Sequence, residues 1–158
     1  MVEGINNCWP TPIYKTTLGP DECSLMVIGN VMPVIEKTFD LFFKEVYNKS
    51  LNDYIHKFKH WKHIGLKELH NHQGASFSAV FYPEVSDTME GGEIIIKDPR
   101  GNANRGYDHD EFQVQFDDIK FKPKGGDVLI MPSFLYHQVI PTTDNRIAIP
   151  VDLYIMDI

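Results

Sequence analysis

Apolar residues in the first third of the chain recur at helical spacing. Ile28, Met32, Ile35, Phe39, Phe42 and Val46 follow one another at steps of four and three, so they form one stripe of a helix between about residues 21 and 48. A core-packing face accounts for such a stripe. Pro33 lies inside it, lacks an amide hydrogen and crowds the preceding turn, so a break near Met32 and two shorter helices are expected. Upstream, residues 5–18 show no period and hold Pro10 and Pro12, which reads as an extended arm.

Beyond residue 60 the period becomes two. Phe112, Val114 and Phe116 alternate with polar residues as in a half-buried strand. Further strands are expected at 67–72, 76–82, 92–97, 127–131, 136–140 and 146–155. The stretches 87–92, 98–101, 123–126 and 141–145 carry the Gly, Pro, Asp and Asn of turns. Seven or eight short strands punctuated in this way predict a sandwich or barrel, the jelly roll among them, with the helices covering one sheet. The chain then reads as a single domain over 1–158, with arm and helical support in 1–60 and the β core in 61–158. The longest gap, 98–111, has the length of a functional loop.

Composition narrows the function classes. With 158 residues, 42% hydrophobic and 23% charged, the chain is an ordinary globular domain. Fifteen Lys and Arg against 22 Asp and Glu give a net charge of −7, which argues against wrapping duplex nucleic acid through its phosphates. No apolar run has the roughly 20 residues that a membrane span needs. Cys8 and Cys23 are too few for a disulfide framework, and no secretory signal is visible, so a reducing, cytoplasmic setting is expected.

Seven histidines stand at 56, 60, 63, 70, 72, 109 and 137. On a strand, His70 and His72 project from the same face and together can hold one metal ion. His137, opening another strand, is the best candidate for a third ligand. Ordinary surface or satisfied core histidines are the bland alternative. Arg146 follows nine residues later, across a turn, where an antiparallel neighbour would bring it alongside the His137 strand. Facing inward, it would need an anion, and a guanidinium suits a carboxylate because it donates two parallel hydrogen bonds. The pattern then points to a metal-bound, carboxylate-bearing small molecule; facing outward, Arg146 is simply a surface residue near a turn.

The ordered set of His70-Asn71-His72, Ser78-Ala-Val-Phe-Tyr82, Gly91-Gly-Glu-Ile-Ile-Ile-Lys-Asp-Pro-Arg100, Lys124-Gly-Gly-Asp-Val-Leu-Ile-Met-Pro-Ser133, His137 and Arg146 resembles a family of small iron(II)- and 2-oxoglutarate-dependent oxygenases of bacteria and phages, related to prolyl 4-hydroxylases. The opening Trp9-Pro-Thr-Pro-Ile-Tyr14 is similar too. The resemblance implies a double-stranded β-helix (a jelly roll, cupin-like) that is mainly β with N-terminal helices. It implies iron(II) at the open end of the barrel, 2-oxoglutarate and O2 as cosubstrates, and hydroxylation of a C–H bond of a peptide, amino acid or other small substrate. His70 and His72 fall on the paired ligands, His137 on the distal one and Arg146 on the anchor for the far carboxylate of 2-oxoglutarate. Tyr82 and Tyr136 are candidates to line that pocket, or else core aromatics.

The sequence departs from the family at His72, where the common triad of two histidines and one carboxylate has its acid. The centre is then three-histidine, or borrows a ligand; Asp98 is the candidate lender, and its other reading is a turn residue before Pro99. Ala148 and Gln73 replace a serine and a proline frequent in relatives. A shifted reading, His72-Gln73-Gly74, resembles the open position of iron halogenases but leaves His70 idle. His109-Asp-Glu111 lies too close to His137 in sequence to form the pair. His56, His60 and His63 with Lys57, Lys59, Lys62 and Trp61 make a basic, aromatic cluster, read first as a solvated face. Competing functions are a three-histidine zinc hydrolase or a cupin-like metal-binding protein without 2-oxoglutarate. Oligomeric state is not legible, because either the helices or a partner could cover the sheet edges.

Overall fold

The computed structural model describes residues 13–63, 67–99, 118–142 and 145–156. Two helices come early, α1 (Pro20–Val27) and α2 (Met32–Tyr47). Pro20 stands in the first turn of α1, and the side chain of Glu22 reaches back to accept from the Gly19 amide at 3.2 Å. The break falls where Pro33 required one. Gly29 turns the chain with φ 93°, and Pro33 then sits in the first turn of α2, where a missing amide hydrogen costs nothing. Ile28 does not join the stripe as expected: it is 77% exposed at the end of α1, because the break resets the helical phase. Within α2 the expected face holds, with Ile35, Phe39 and Phe42 buried and Val46 packed at the margin.

Among the described residues nine strands form two antiparallel sheets: β1 (Tyr14–Thr17), β2 (Ile55–His60), β3 (Lys67–His70), β4 (Phe77–Val85), β5 (Ile94–Ile96), β6 (Ile119–Phe121), β7 (Asp127–Pro132), β8 (His137–Val139) and β9 (Arg146–Met156). The larger sheet has the order β1-β7-β4-β9-β2 and the smaller β3-β8-β5-β6. Six of the expected strands are found. β1, β2 and β6 were not expected as strands, and the stretch 112–116 lies outside the described residues. β2 was hidden by its composition, Ile-His-Lys-Phe-Lys-His: as an edge strand it pairs on one side only and carries lysines outward, a common guard against edge-to-edge association. Because β1 and β2 join the larger sheet, residues before 61 contribute strands as well as helices. Among the described residues no helix is long and apolar enough to cross a membrane.

Period-two alternation assigns each strand of the larger sheet two faces. Phe81 of β4, Val128 and Ile130 of β7, and Ile149, Val151 and Leu153 of β9 pack under α2 with Phe39 and Phe42. The Phe39 ring lies 6.5 Å from Phe81, and Phe42 lies 5.2 Å from Phe77. The intervening residues face the smaller sheet: Tyr82, Leu129, Met131 and Ala148 meet Ile94 and Ile96 of β5 and Ile119 and Phe121 of β6. On either side of Ala148 the same inward face of β9 carries Arg146 and Pro150, which line a cavity beside this second core, and Asp152 follows on that face.

Candidate metal centre

The three histidines converge through strand pairing. His70 ends β3 and His137 begins β8, and the two are direct partners in the antiparallel register. Their ring centres lie 4.3 Å apart. His72 lies two residues past the end of β3, on a turn pinned by its amide donating to the Ser133 carbonyl at 3.0 Å. Ser133 Oγ in turn donates to the Ala75 carbonyl. The His72 ring stacks on His137 at 5.1 Å and 8°, with the two Nε2 atoms 3.2 Å apart. One nitrogen from each of His70, His72 and His137 lies within 4.8 Å of the others, so the expected ligand set is brought together.

The other ring nitrogens fix the tautomers. His70 Nδ1 faces the Glu68 carbonyl at 2.6 Å, and His137 Nδ1 faces the Leu135 carbonyl at 3.0 Å. His72 Nδ1 faces Asp152 Oδ1 at 2.9 Å. Each neighbour is an acceptor, so each Nδ1 carries the hydrogen, and each Nε2 is left with its lone pair to offer a metal. One proton can satisfy one pair; a single metal ion satisfies all three. The donor set therefore fits a divalent transition metal that accepts imidazole nitrogen.

Burial favours the neutral form of His137 and His70, the form in which an imidazole binds a metal. It pushes His137, only 4% exposed, down to about 4 from 6.5, and the Leu135 carbonyl only partly opposes this. His70 is lowered by burial as well. The unfolded chain takes up these protons near pH 6.5, so between about 6.5 and 4 it binds more protons than the folded, metal-free chain. Stability accordingly rises with pH across that window and is lost on acidification. Urea titrations of the metal-free protein should show a loss on the order of 2–3 kcal/mol from pH 7 to 4.5. The dependence should be shallower in His137→Gln; an identical dependence in the variant would refute the assignment.

A cavity opens beside the histidines and is lined by Trp61, Val80, Tyr82, Ile94 and Arg146 among others. Arg146 faces this cavity from the opposite sheet. The expectation that its strand neighbours that of His137 is corrected: β9 pairs with β4 and β2, while β8 pairs with β3 and β5. β8 and β9 lie in different sheets, so Arg146 stands across the cavity from His137 rather than beside it. The guanidinium lies over the Tyr82 ring at 5.8 Å and donates from Nη1 to the Gly92 carbonyl at 2.8 Å. Gly92 has φ 78°, and a Cβ there would lie 2.9 Å from Met89 and 3.3 Å from Arg146 Nη1, so the close approach needs glycine. Among the described residues no carboxylate pairs with Arg146.

Tyr82 is wholly buried, and desolvation pushes its hydroxyl up to about 12. Tyr136, in contrast, is 52% exposed and does not line the cavity: between buried Leu135 and His137 it points to the outer side. Asp98 is buried just past β5, and the group that the three histidines form does not include it; its amide donates to Asp118 Oδ1. His109 and Glu111 lie outside the described residues, as does most of the 98–111 stretch. The His72-Gln73-Gly74 reading loses its appeal because His70 has a place in the group.

The basic, aromatic cluster divides. Lys57 and Lys59 are exposed and lie over the Tyr154 ring at 5.4 and 5.2 Å, a solvated face as read. Trp61 and His63 instead line the cavity, with Trp61 stacked on His72 at 5.9 Å. Two contributors escaped sequence reasoning, Trp61 and Asp152. The signal for Asp152 was a charged residue amid the apolar run Pro150-Val151-Asp152-Leu153, on the parity of Arg146.

Comparison with known proteins bears on the chemistry. The model of a 2OG-Fe(II) oxygenase family matches residues 59–152. No curated protein matches the chain. Among solved structures, a Pseudomonas putida prolyl-4-hydroxylase is similar at 12% identity and TM-score 0.50, over 93% of this chain and 74% of that one. A prolyl 4-hydroxylase from Phytophthora capsici is similar at 14% and 0.51, over 89% and 47%. A 2OG-Fe(II) oxygenase family protein from Burkholderia pseudomallei aligns at 16% and 0.48, over 73% and 49%. The chain thus spans about half the length of the last two. At these identities the likeness is one of fold, and the fold is the two-sheet jelly roll described above.

Proposed function

The chain belongs to the 2OG-Fe(II) oxygenase family, and from that premise we propose that it is a 2-oxoglutarate- and iron(II)-dependent dioxygenase. His70, His72 and His137 would hold the iron, and Arg146 would hold the far carboxylate of 2-oxoglutarate. The bound iron, with 2-oxoglutarate and O2, supplies the oxidation: one oxygen atom enters a substrate C–H bond, and the other enters succinate as carbon dioxide leaves.

The observation that carries this reading is the meeting, at one cavity, of three imidazoles with a guanidinium that no carboxylate among the described residues pairs with. The chain's own contribution is placement. The Tyr82 ring lies against the Arg146 guanidinium, while Val80, Ile94 and Ala148 make the walls apolar. A dry wall strengthens the Arg146–carboxylate attraction and limits access of water. Trp61, at the mouth and stacked on His72, is placed to meet the substrate. A peptide, amino acid or other small molecule is the substrate class we infer. A cytoplasmic setting suits a ferrous centre and the free thiol of Cys23.

The test is anaerobic. Iron(II) and 2-oxoglutarate added together should produce a visible metal-to-ligand charge-transfer band that neither gives alone, and admission of O2 should release succinate. Protein that binds iron yet shows no band would overturn the proposal. Activity retained with zinc and without oxygen would favour the hydrolase reading, which has no use for Arg146.

A further inference from the structure

Three neutral imidazoles leave the full double charge of a metal ion uncompensated, whereas a centre of two histidines and one carboxylate cancels half of it. The structure holds a carboxylate one step away. Asp152 is 6% exposed on the inward face of β9, and its Oδ1 lies 2.9 Å from His72 Nδ1. The same oxygen accepts from Ser78 Oγ at 2.9 Å, and Ser78 is the direct partner of Asp152 across the β4–β9 register. On the other side its register partner is Lys59, whose ammonium lies over the Tyr154 ring. Among the described residues, His72 is therefore the basic group with which the Asp152 carboxylate pairs.

We propose that Asp152 delivers to the centre, through the His72 imidazole, the negative charge that a directly bound carboxylate would otherwise supply. This rests on the reading that the three histidines hold a metal. Asp152 is a positioning residue here: it fixes the Nδ1–H tautomer of His72, aims Nε2 at the metal and raises the donor strength of the ring by drawing on its proton. Ser78 holds the carboxylate in the line of the imidazole. The departure at His72 is thereby balanced within the same cavity, and a carboxylate at position 72 would make Asp152 redundant.

Redundancy gives the test a form that a merely structural role cannot imitate. Iron(II) alone is titrated anaerobically into the wild-type chain, Asp152→Asn, His72→Asp and the double variant, with affinity as the readout. Asparagine keeps the shape and the acceptor for Ser78 while removing the charge. Asp152→Asn should weaken iron binding by about 10- to 100-fold in the wild-type background. In the His72→Asp background the same change should cost under about threefold, or strengthen binding, because two carboxylates no longer face each other. An equal loss in both backgrounds would overturn the proposal, as would no loss in either. If Asp152→Asn fails to fold, Ser78→Ala, which removes only the hydrogen bond holding the carboxylate, takes its place. A several-fold weakening is then expected, and unchanged affinity overturns the idea. Failure of the wild-type chain to bind iron at all would instead remove the metal reading on which this rests.

Discussion

His137→Ala should abolish iron binding and, with it, succinate formation. The imidazole is held at both ends: the Leu135 carbonyl fixes Nδ1, and the Nε2 lone pair meets those of His70 and His72. Removing it leaves two nitrogens, at the end of β3 and on the turn after it, too few to hold a ferrous ion against water. The fold should survive. The substitution leaves a cavity, at a cost of about 1–3 kcal/mol, but it also removes a buried ring whose lone pair faces that of His72 at 3.2 Å. Metal content measured after dialysis, beside a thermal melt, separates the two effects. Iron-dependent turnover in the variant would count against His137 as a ligand.

The second large effect belongs to Arg146. In Arg146→Ala the concentration of 2-oxoglutarate needed for half-maximal turnover should rise by roughly 30- to several-thousand-fold, the equivalent of losing a desolvated charge pair of about 2–5 kcal/mol. Iron affinity should change little, because Arg146 lies across the cavity in the other sheet and is no part of the ligand group. Arg146→Lys should recover part of the loss, since an ammonium restores the charge but not the two parallel hydrogen bonds. The measurement is succinate release against 2-oxoglutarate concentration at saturating iron. An unchanged requirement would sink the assignment of Arg146 as the anchor.

Much of this site was legible because its parts are local in sequence. His70 and His72 announce themselves by spacing, His137 and Arg146 by standing at the starts of period-two runs. The helix break was legible for the same reason, since Pro33 acts on its own neighbours. Where local reasoning failed, distance was the cause. Tyr136 and Tyr82 were equal candidates as aromatics near the motifs; Tyr82, inside β4, is buried between the sheets, whereas Tyr136, just ahead of β8, is exposed. Asp98 was a plausible donor until the end of β5 carried it outside the histidine group. Trp61 looked like a member of a solvated basic stretch, because only the packing of β2 beside β9 swings its ring onto His72.

What the residues determined by themselves was the chemistry on offer: three imidazoles, one guanidinium and strands whose alternation gives each an inward face. Those properties are short-range, set by the side chains and a period of two. Which groups meet was decided by tertiary structure. The sandwich set Arg146 across the cavity rather than beside His137, and the register of β4 on β9 brought Ser78 to Asp152 and Asp152 to His72. Pairing of strands remote in sequence depends on how a whole sheet closes, and no spacing along the chain records it.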